Sequence, residues 1–193
     1  MLDDTKLLAG LRQRDPQAFT QFFDANVDRV YRLALGMLGQ RADAEEVVQA
    51  TFLSAFEAIG RFEPHAQLST WLYRIAYNHA LMLLRRRHPE EPLPDDSESL
   101  PLPATLVDWS TLPEDQLLSE EVHETLFAAI SSLPERLRAA FVLRDIETLS
   151  TAECAHVQGI SESACKVRLH RARLLLRERL SQYLREQVAE EAL

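Results

Sequence analysis

The sequence predicts an all-α protein built from two small helical domains. Glycine is scarce, at five of 193 residues, and six of the nine prolines fall between residues 89 and 113. Outside that stretch, helix-breaking residues are rare and apolar residues recur at steps of three and four. The 46% hydrophobic and 26% charged content is ordinary for a globular chain.

The charge of the chain is divided unevenly along its length. The formal net charge is -9, yet residues 1–88 and residues 134–193 each carry a net charge of +1. Residues 89–133 hold 11 acidic groups and no Lys or Arg. A low overall isoelectric point argues against a nucleic-acid partner, but here the excess acidity lies outside the two near-neutral blocks 1–88 and 134–193. Composition therefore does not exclude such a partner.

The first block predicts a helical bundle. After a short N-terminal helix, apolar periodicity predicts helices over about 16–39, 43–60 and 70–87. Pro16 stands at the first helical position, where its missing N–H has no cost. Asp43 is the predicted cap of the second of these three helices, and Gly60 its predicted end.

The remaining chain predicts a linker followed by a second helical domain. Residues 89–113 have no helical period and predict an extended acidic linker. Helices are expected over about 114–133 and 134–145, then from Ser150 to Gly159, and from Ser161 to beyond Leu180. The predicted domains are therefore 1–88 and 114–193, with 89–113 as the linker.

Residues 150–173 predict a helix-turn-helix motif. Ser150 and Glu153 form a capping-box pattern, and Gly159 permits a left-handed turn. In the second helix, 161–179 carries a net charge of +4. Such a helix fits the major groove of DNA. The alternative is a solvated charged face on an ordinary bundle helix. The predicted buried stripe is Ile160, Cys165, Leu169, Ala172 and Leu176, and the opposite face carries Ser163, Lys166, Val167, His170 and Arg173.

A second basic segment lies at the end of the first block. Residues 64–88 hold four arginines and no acidic residue. Aromatic residues lie between the arginines, and aromatics with a basic rim suit single-stranded nucleic acid. Helical spacing places Trp71, Arg74, Asn78 and Arg85 near one face. In the alternative, Trp71 and Tyr77 belong to the core and the arginines only close the helix.

The two cysteines, Cys154 and Cys165, predict core packing. A metal site with His156 and His170 is disfavoured, because residues two apart on a helix point about 200° apart. A redox-sensing disulfide between the two thiols is the remaining alternative. We expect no metal and no cofactor, and too few cysteines for a disulfide framework predict a reducing cytoplasm.

Together the two blocks resemble bacterial RNA polymerase sigma factors of the extracytoplasmic-function (ECF, group IV) class. DAEEVVQATFLSAFEAIGRF at 43–62 and STWLYRIAYNHALMLLRRR at 69–87 are similar to region 2. LPERLRAAFVLRDIETLSTAECAHVQGISESACKVRLHRAR at 133–173 is similar to region 4. Ala50 departs from the acidic residue common in the family.

The resemblance implies a set of partners and binding residues. The partners are core RNA polymerase, through the β′ clamp helices and the β subunit, promoter DNA, and an anti-sigma factor. The acidic linker would thread through the polymerase. The implied polymerase contacts are Glu46, Gln49 and Phe52. The implied -10 contacts are Trp71, Arg74, Asn78, Arg85 and Arg86, with Asn78 near a flipped-out base. The implied -35 contacts are Ser161, Ser163, Lys166, Arg168, His170, Arg171 and Arg173.

The sequence thus predicts a non-enzymatic transcription factor. It would direct core polymerase to promoters of a stress or envelope response. The alternative is a stand-alone helix-turn-helix regulator that binds duplex DNA. No apolar run is long enough to span a bilayer, which predicts no membrane insertion and a cytoplasmic protein. The acidic linker is a candidate mimic of a nucleic-acid backbone or a screen for the arginine clusters, and Trp109 is expected to anchor it.

Overall fold

The computed structural model of the chain describes residues 4–63, 67–87 and 120–191, with side chains at 5–63, 67–87 and 125–181. The linker at 89–113, Trp109 and the start of the helix predicted from residue 114 lie outside the described residues. Every regular element within them is helical. The helices are α1 (Asp4–Arg12), α2 (Pro16–Leu38), α3 (Arg41–Ala58), α4 (Leu68–Arg87), α5 (Glu120–Ser131), α6 (Glu135–Phe141), α7 (Thr151–Gln158) and α8 (Glu162–Glu191).

The first four helices form the N-terminal bundle. Asp15 caps α2 by accepting a hydrogen bond from the backbone N–H of Gln17, and the left-handed Gly39 ends that helix. The prediction for Asp43 as a cap is wrong. Helix α3 starts at Arg41, so Asp43 lies inside the first turn, where its buried carboxylate pairs with Arg87. Gly60 does not end α3 in a left-handed conformation but lies in a 3₁₀ turn, Ile59–Arg61.

Helices α5 to α8 form the C-terminal half. Helix α6 ends at Phe141 and is followed directly by a π-helical turn, Val142–Ile146. The helix predicted over 134–145 is thus divided into two elements. Gly159, with φ of 68°, makes the left-handed turn between α7 and α8. The side chain of Ser161 accepts a hydrogen bond from the backbone N–H of Ala164, which confirms its capping position.

The two halves pack against each other through a continuous apolar core. Gly36 on α2 makes close packing possible, because a Cβ atom there would lie 3.0 Å from Cγ2 of Val142. The buried Arg138 on α6 donates to the backbone carbonyl of Met37, at the end of α2. The sequence predicts two domains joined by a linker, and their mutual packing is a finding of the structure.

Candidate nucleic-acid and polymerase interface

A short capped helix positions the predicted recognition helix. The Ser150 side chain accepts from the backbone N–H of Glu153 at 3.2 Å, and the Glu153 carboxylate accepts from the backbone N–H of Ser150 at 2.8 Å. Hydrogen bonds to its carboxylate from the side chain and the backbone N–H of Ser150 lower the pKa of Glu153. The full capping box predicted from the sequence is therefore formed.

We expect Ser150→Ala to lower the free energy of unfolding by about 1 kcal/mol, because the backbone N–H of Glu153 in the first turn of α7 loses its side-chain acceptor. Urea unfolding followed by circular dichroism measures the change. Ser163→Ala is the matched control, since Ser163 is exposed and bonds only to the Ser161 hydroxyl among the contacts described. An equal loss in both variants would contradict the assignment of the effect to the cap.

Helix α8 has the two faces that the sequence predicts. Cys165, Leu169, Ala172 and Leu176 are buried, and Ile160 is partly buried. The opposite face is open to solvent. Its exposed members are Ser163, Lys166, Val167, His170 and Arg173. The major groove of duplex DNA admits an α-helix, and the polar and basic side chains on this face are suited to it.

Two arginines of the predicted -35 set are engaged within the protein. The resemblance implies that Arg168 contacts the -35 element, but the structure buries this residue, and its guanidinium donates to Gln158 at 2.7 Å. Its observed position thus supports the turn between α7 and α8. Arg173 is exposed and makes a bidentate contact with Asp145, at 2.8 and 2.6 Å, which raises the pKa of Arg173. Arg171 is partly buried and Ser161 is exposed.

Helix α4 carries the predicted single-strand contacts. Arg74, Asn78, Arg85 and Arg86 are exposed, while Trp71 is half-buried with its ring 5.1 Å from that of Phe62. Tyr77 is buried, so the alternative that placed this residue in the core is confirmed for Tyr77. Arg74 also donates to the carbonyl oxygen of His156 on α7 at 3.4 Å. Part of the basic face of α4 is therefore engaged within the protein.

Helix α3 presents an acidic and aromatic surface. Glu46 and Gln49 are exposed, and Glu46 lies 4.0 Å from Arg86 across the α3–α4 contact. Phe52 is half-buried, with its ring 4.6 Å from that of Phe23. Phe23 is itself 41% exposed, and Leu53, next to Phe52 in the sequence, is 61% exposed. Exposed apolar and aromatic side chains of this kind are typical of a protein-binding surface.

The cysteine thiols lie at the crossing of α7 and α8. Both are buried, with their sulfur atoms 2.9 Å apart, and both are free thiols. Burial, followed by the hydrogen bond from Cys165, raises the pKa of Cys154 to about 12. The core-packing interpretation of this pair fits these positions. Across the described part of the chain, no cluster of His, Cys, Asp and Glu has the arrangement of a metal site. No described helix is long and apolar enough to cross a membrane.

One cluster was missed by the sequence analysis. The Glu147 carboxylate, fully buried between the two halves, accepts hydrogen bonds from Tyr73 at 2.6 Å and from Arg32 at 2.7 and 3.1 Å. Arg29 lies 3.7 Å from the same carboxylate. We call these four residues the Glu147 cluster. Arg32, Arg29 and Tyr73 lie 115, 118 and 74 positions before Glu147 in the sequence, so no local pattern reveals the cluster.

Comparisons with known proteins agree with this geometry. Residues 22–89 match the family model of sigma-70 region 2, and residues 123–176 match that of sigma-70 region 4. The chain is 33% identical to the ECF RNA polymerase sigma factor SigW of Bacillus subtilis, covering 91% of this chain and 95% of the relative. It is also 33% identical to the ECF RNA polymerase sigma-E factor of Haemophilus influenzae, covering 93% and 96%.

Two solved structures share the fold. CnrH in complex with the cytosolic domain of CnrY superposes with a TM-score of 0.69 at 24% identity, covering 93% of this chain and 97% of that one. The sigma factor RpoE of Bartonella quintana, in complex with the anti-sigma factor NepR, superposes with a TM-score of 0.63 at 23% identity, covering 84% and 96%. The matched regions, the extent of the similarity to SigW and the arrangement of α3, α4 and α8 lead to one conclusion: this chain belongs to the extracytoplasmic-function sigma factors of RNA polymerase.

Proposed function

We propose that this chain binds core RNA polymerase and directs it to a class of promoters for transcription initiation. The observation that carries the proposal is the combination, in one chain, of a capped helix-turn-helix with an exposed basic face and a second helix with exposed arginines beside a half-buried tryptophan. A regulator that binds duplex DNA alone needs only the first of these. A stress or envelope response is the proposed setting.

The α3 surface is the proposed polymerase contact. Glu46 and Gln49 offer polar groups in the first half of the helix, and Phe52 offers an apolar contact one turn later. Glu46 and Gln49 are exposed, and the half-buried Phe52 packs partly against Phe22 and Phe23 of α2. We propose that the β′ clamp helices dock here and that the β subunit contacts the C-terminal half.

Helix α4 is the proposed reader of the melted -10 strand. The half-buried Trp71 keeps part of its ring accessible for stacking, and Arg74, Arg85 and Arg86 offer cations for phosphates. Asn78 offers both a donor and an acceptor for the edge of a flipped base. These contacts would offset the cost of unstacking, about a few kcal/mol per base.

Helix α8 is the proposed reader of the duplex -35 element. Ser161, Ser163, Lys166 and His170 are exposed at its N-terminal end, where side chains reach base edges. Arg171 and Arg173 are the proposed phosphate contacts, and Arg173 would exchange Asp145 for DNA. Arg168 is proposed to act through the turn that it supports.

Several further assignments complete the proposal. The domains are 1–88 and 114–193, joined by the acidic linker 89–113 inside the polymerase. The chain binds and positions without catalysing a reaction, needs no cofactor, and works in the cytoplasm where transcription occurs. An anti-sigma factor is a proposed further partner, as RpoE of Bartonella quintana has one.

In vitro transcription tests the function. Purified chain plus core polymerase, supplied with a fragment library of the host genome, is expected to yield transcripts with shared -35 and -10 sequences. Tight, sequence-specific duplex binding by the chain alone, with no transcript, would instead favour a stand-alone regulator.

Val167 offers a sharper test of the -35 assignment. Val167 is not among the implied -35 contacts, yet its side chain is 49% exposed on the face that also carries Lys166 and His170. An apolar side chain on this face suits the methyl group of a thymine. We expect Val167→Ser to weaken binding to the selected -35 duplex by about tenfold, and replacement of one thymine by uracil to weaken the wild type equally.

The two changes form a double-mutant cycle. If Val167 contacts that methyl group, uracil should have no further effect on the Val167→Ser variant. Fluorescence anisotropy at fixed salt, with the chain bound to core polymerase, measures the affinities. Additive losses at every thymine would contradict the contact.

A further inference from the structure

We propose that the free chain holds itself in a closed state that cannot engage a promoter, and that the Glu147 cluster is the latch of that state. This inference rests on the proposed function, because it concerns how the -10 and -35 surfaces are kept together. Its evidence, however, consists of contacts between the two halves of the chain.

The described arrangement cannot place both reading helices on a promoter. The Arg74 guanidinium on α4 lies 3.9 Å from the position of a Cβ atom at Gly159, just before α8 begins. The two promoter elements, named for positions about 10 and 35 base pairs before the start site, are about 85 Å apart along B-form DNA at 3.4 Å per base pair. The halves must therefore separate before both elements are bound.

The covalent chain permits that separation. Residues 88–119 connect α4 to α5. A segment of this length can reach about 110 Å when fully extended, at about 3.4 Å per residue. Opening thus requires breaking the contacts between the halves and no other change in the described helices.

Helix α7 lies over the N-terminal part of α4 in the closed state. The Thr70 hydroxyl donates to the Glu153 carboxylate at 3.3 Å, and Arg74 donates to the His156 carbonyl at 3.4 Å. Arg74 is one of the proposed -10 contacts, so in the closed state α7 binds a guanidinium that the DNA strand would otherwise contact. The same contacts tie the first helix of the helix-turn-helix to the opposite domain.

Glu147 is the group that secures α7 in this position. Its carboxylate is fully buried, and it has partners only from α2 and α4 among its described side-chain contacts: Arg32, Tyr73 and Arg29. The hydrogen bond to Glu147 raises the pKa of Arg32, and burial together with the bond to Glu147 raises the pKa of Tyr73. Each pairing therefore joins the C-terminal half to the N-terminal bundle.

The local backbone is shaped to present this carboxylate. The π-helical turn Val142–Ile146 comes directly before Glu147, and Thr148 directly after it has φ of 57°. A β-branched residue is strained in the left-handed region. A π turn and a strained residue on either side of one buried carboxylate are typical of a functional segment.

An ionic latch is suited to reversible closing. On opening, Glu147, Arg29 and Arg32 regain hydration, so water compensates the lost pairs. The two arginine side chains are already 42% and 50% exposed in the closed state, which limits their cost of separation. The proposed polymerase contacts Glu46 and Gln49 are exposed while the chain is closed. Polymerase can therefore bind first and open the chain afterwards.

Hydrogen exchange on the isolated full-length chain tests the latch. In Glu147→Gln, which keeps the side-chain shape and removes the charge, the protection of α7 amides should fall about tenfold. Small-angle scattering should show a larger radius of gyration. Tyr73→Phe, which removes one hydrogen bond only, should move both readouts in the same direction by a smaller amount, and it decides the question if Glu147→Gln fails to fold.

Asp43→Asn is the matched control. It neutralises a buried carboxylate that also pairs with an arginine, Arg87, but within the N-terminal bundle. It should leave the exchange of α7 and the radius of gyration unchanged. If Glu147→Gln and Tyr73→Phe both leave α7 protection at the wild-type level, or if Asp43→Asn lowers it equally, the latch is overturned.

The outcome is separable from the proposed function. Wild-type chain that drives promoter-directed transcription while both latch variants stay closed would overturn the latch alone. If both latch variants open but the wild-type chain drives no transcription with core polymerase, the proposed function is overturned and the latch remains supported.

Discussion

Arg138→Met is expected to lower the free energy of unfolding by about 3 kcal/mol. The Arg138 guanidinium is almost completely enclosed and donates to the carbonyl oxygens of Met37, Ser131 and Leu133. Met37 lies in the last turn of α2, Ser131 is the last residue of α5 and Leu133 follows it. One side chain therefore satisfies acceptors from both halves. Burial lowers the pKa of Arg138, with Glu135 acting in the opposite direction. Methionine fills a similar volume but leaves all three carbonyls without this donor.

Urea unfolding at neutral pH measures the loss. Arg41→Met is the matched control, because Arg41 is an exposed arginine at the start of α3 and its removal should change stability by less than about 0.5 kcal/mol. Arg138→Lys should give an intermediate loss, since a single ammonium group cannot reproduce the planar fork of a guanidinium. A loss below about 1 kcal/mol in Arg138→Met would show that water replaces the missing donor.

Asn78→Ala is expected to reduce promoter opening by at least about tenfold, equal to about 1.4 kcal/mol, while leaving thermal stability unchanged. Asn78 is exposed on α4, one turn beyond Arg74, so its truncation removes no packing. In the proposed function its amide binds the edge of a flipped base. The loss should appear in permanganate reactivity of unpaired thymines and in transcript yield on a selected promoter.

Met82→Ala controls for truncation on the same helix. Met82 is 52% exposed one turn beyond Asn78, and it has no group that reads a base edge. It should retain wild-type opening. A loss of polymerase binding in Asn78→Ala, or equal defects in both variants, would contradict the base-reading role.

The sequence predicted those features that depend on neighbouring residues. The Ser150–Glu153 capping box, the left-handed Gly159 and the two faces of α8 follow from spacing within one or two helical turns, and the structure contains each of them. Asp43 carried the same type of signal and was assigned wrongly. In the structure, Asp43 lies within the first turn of α3 and its carboxylate pairs with Arg87 at the end of α4. Tertiary contacts thus outweighed a local preference.

Features that depend on distant residues were not predictable. Arg168 looks like one more cation along α8, and only the position of Gln158 shows that it turns inward. Glu147 stands in an unremarkable acidic position, and its partners lie more than 70 residues away. The sequence therefore predicted which helices carry exposed basic faces, α4 and α8, but not the packing that holds the two halves together.

The buried thiol pair has a practical consequence for chemical labelling. Thiolates are the nucleophiles that attack maleimide and iodoacetamide reagents, and a pKa of about 12 leaves Cys154 almost wholly protonated at neutral pH. Cys165 is equally enclosed, with no exposed surface. A cysteine introduced at an exposed site should consequently react selectively in the otherwise native chain. Fluorophores or spin labels can then be attached without replacing either natural thiol, and the core that the pair fills stays intact.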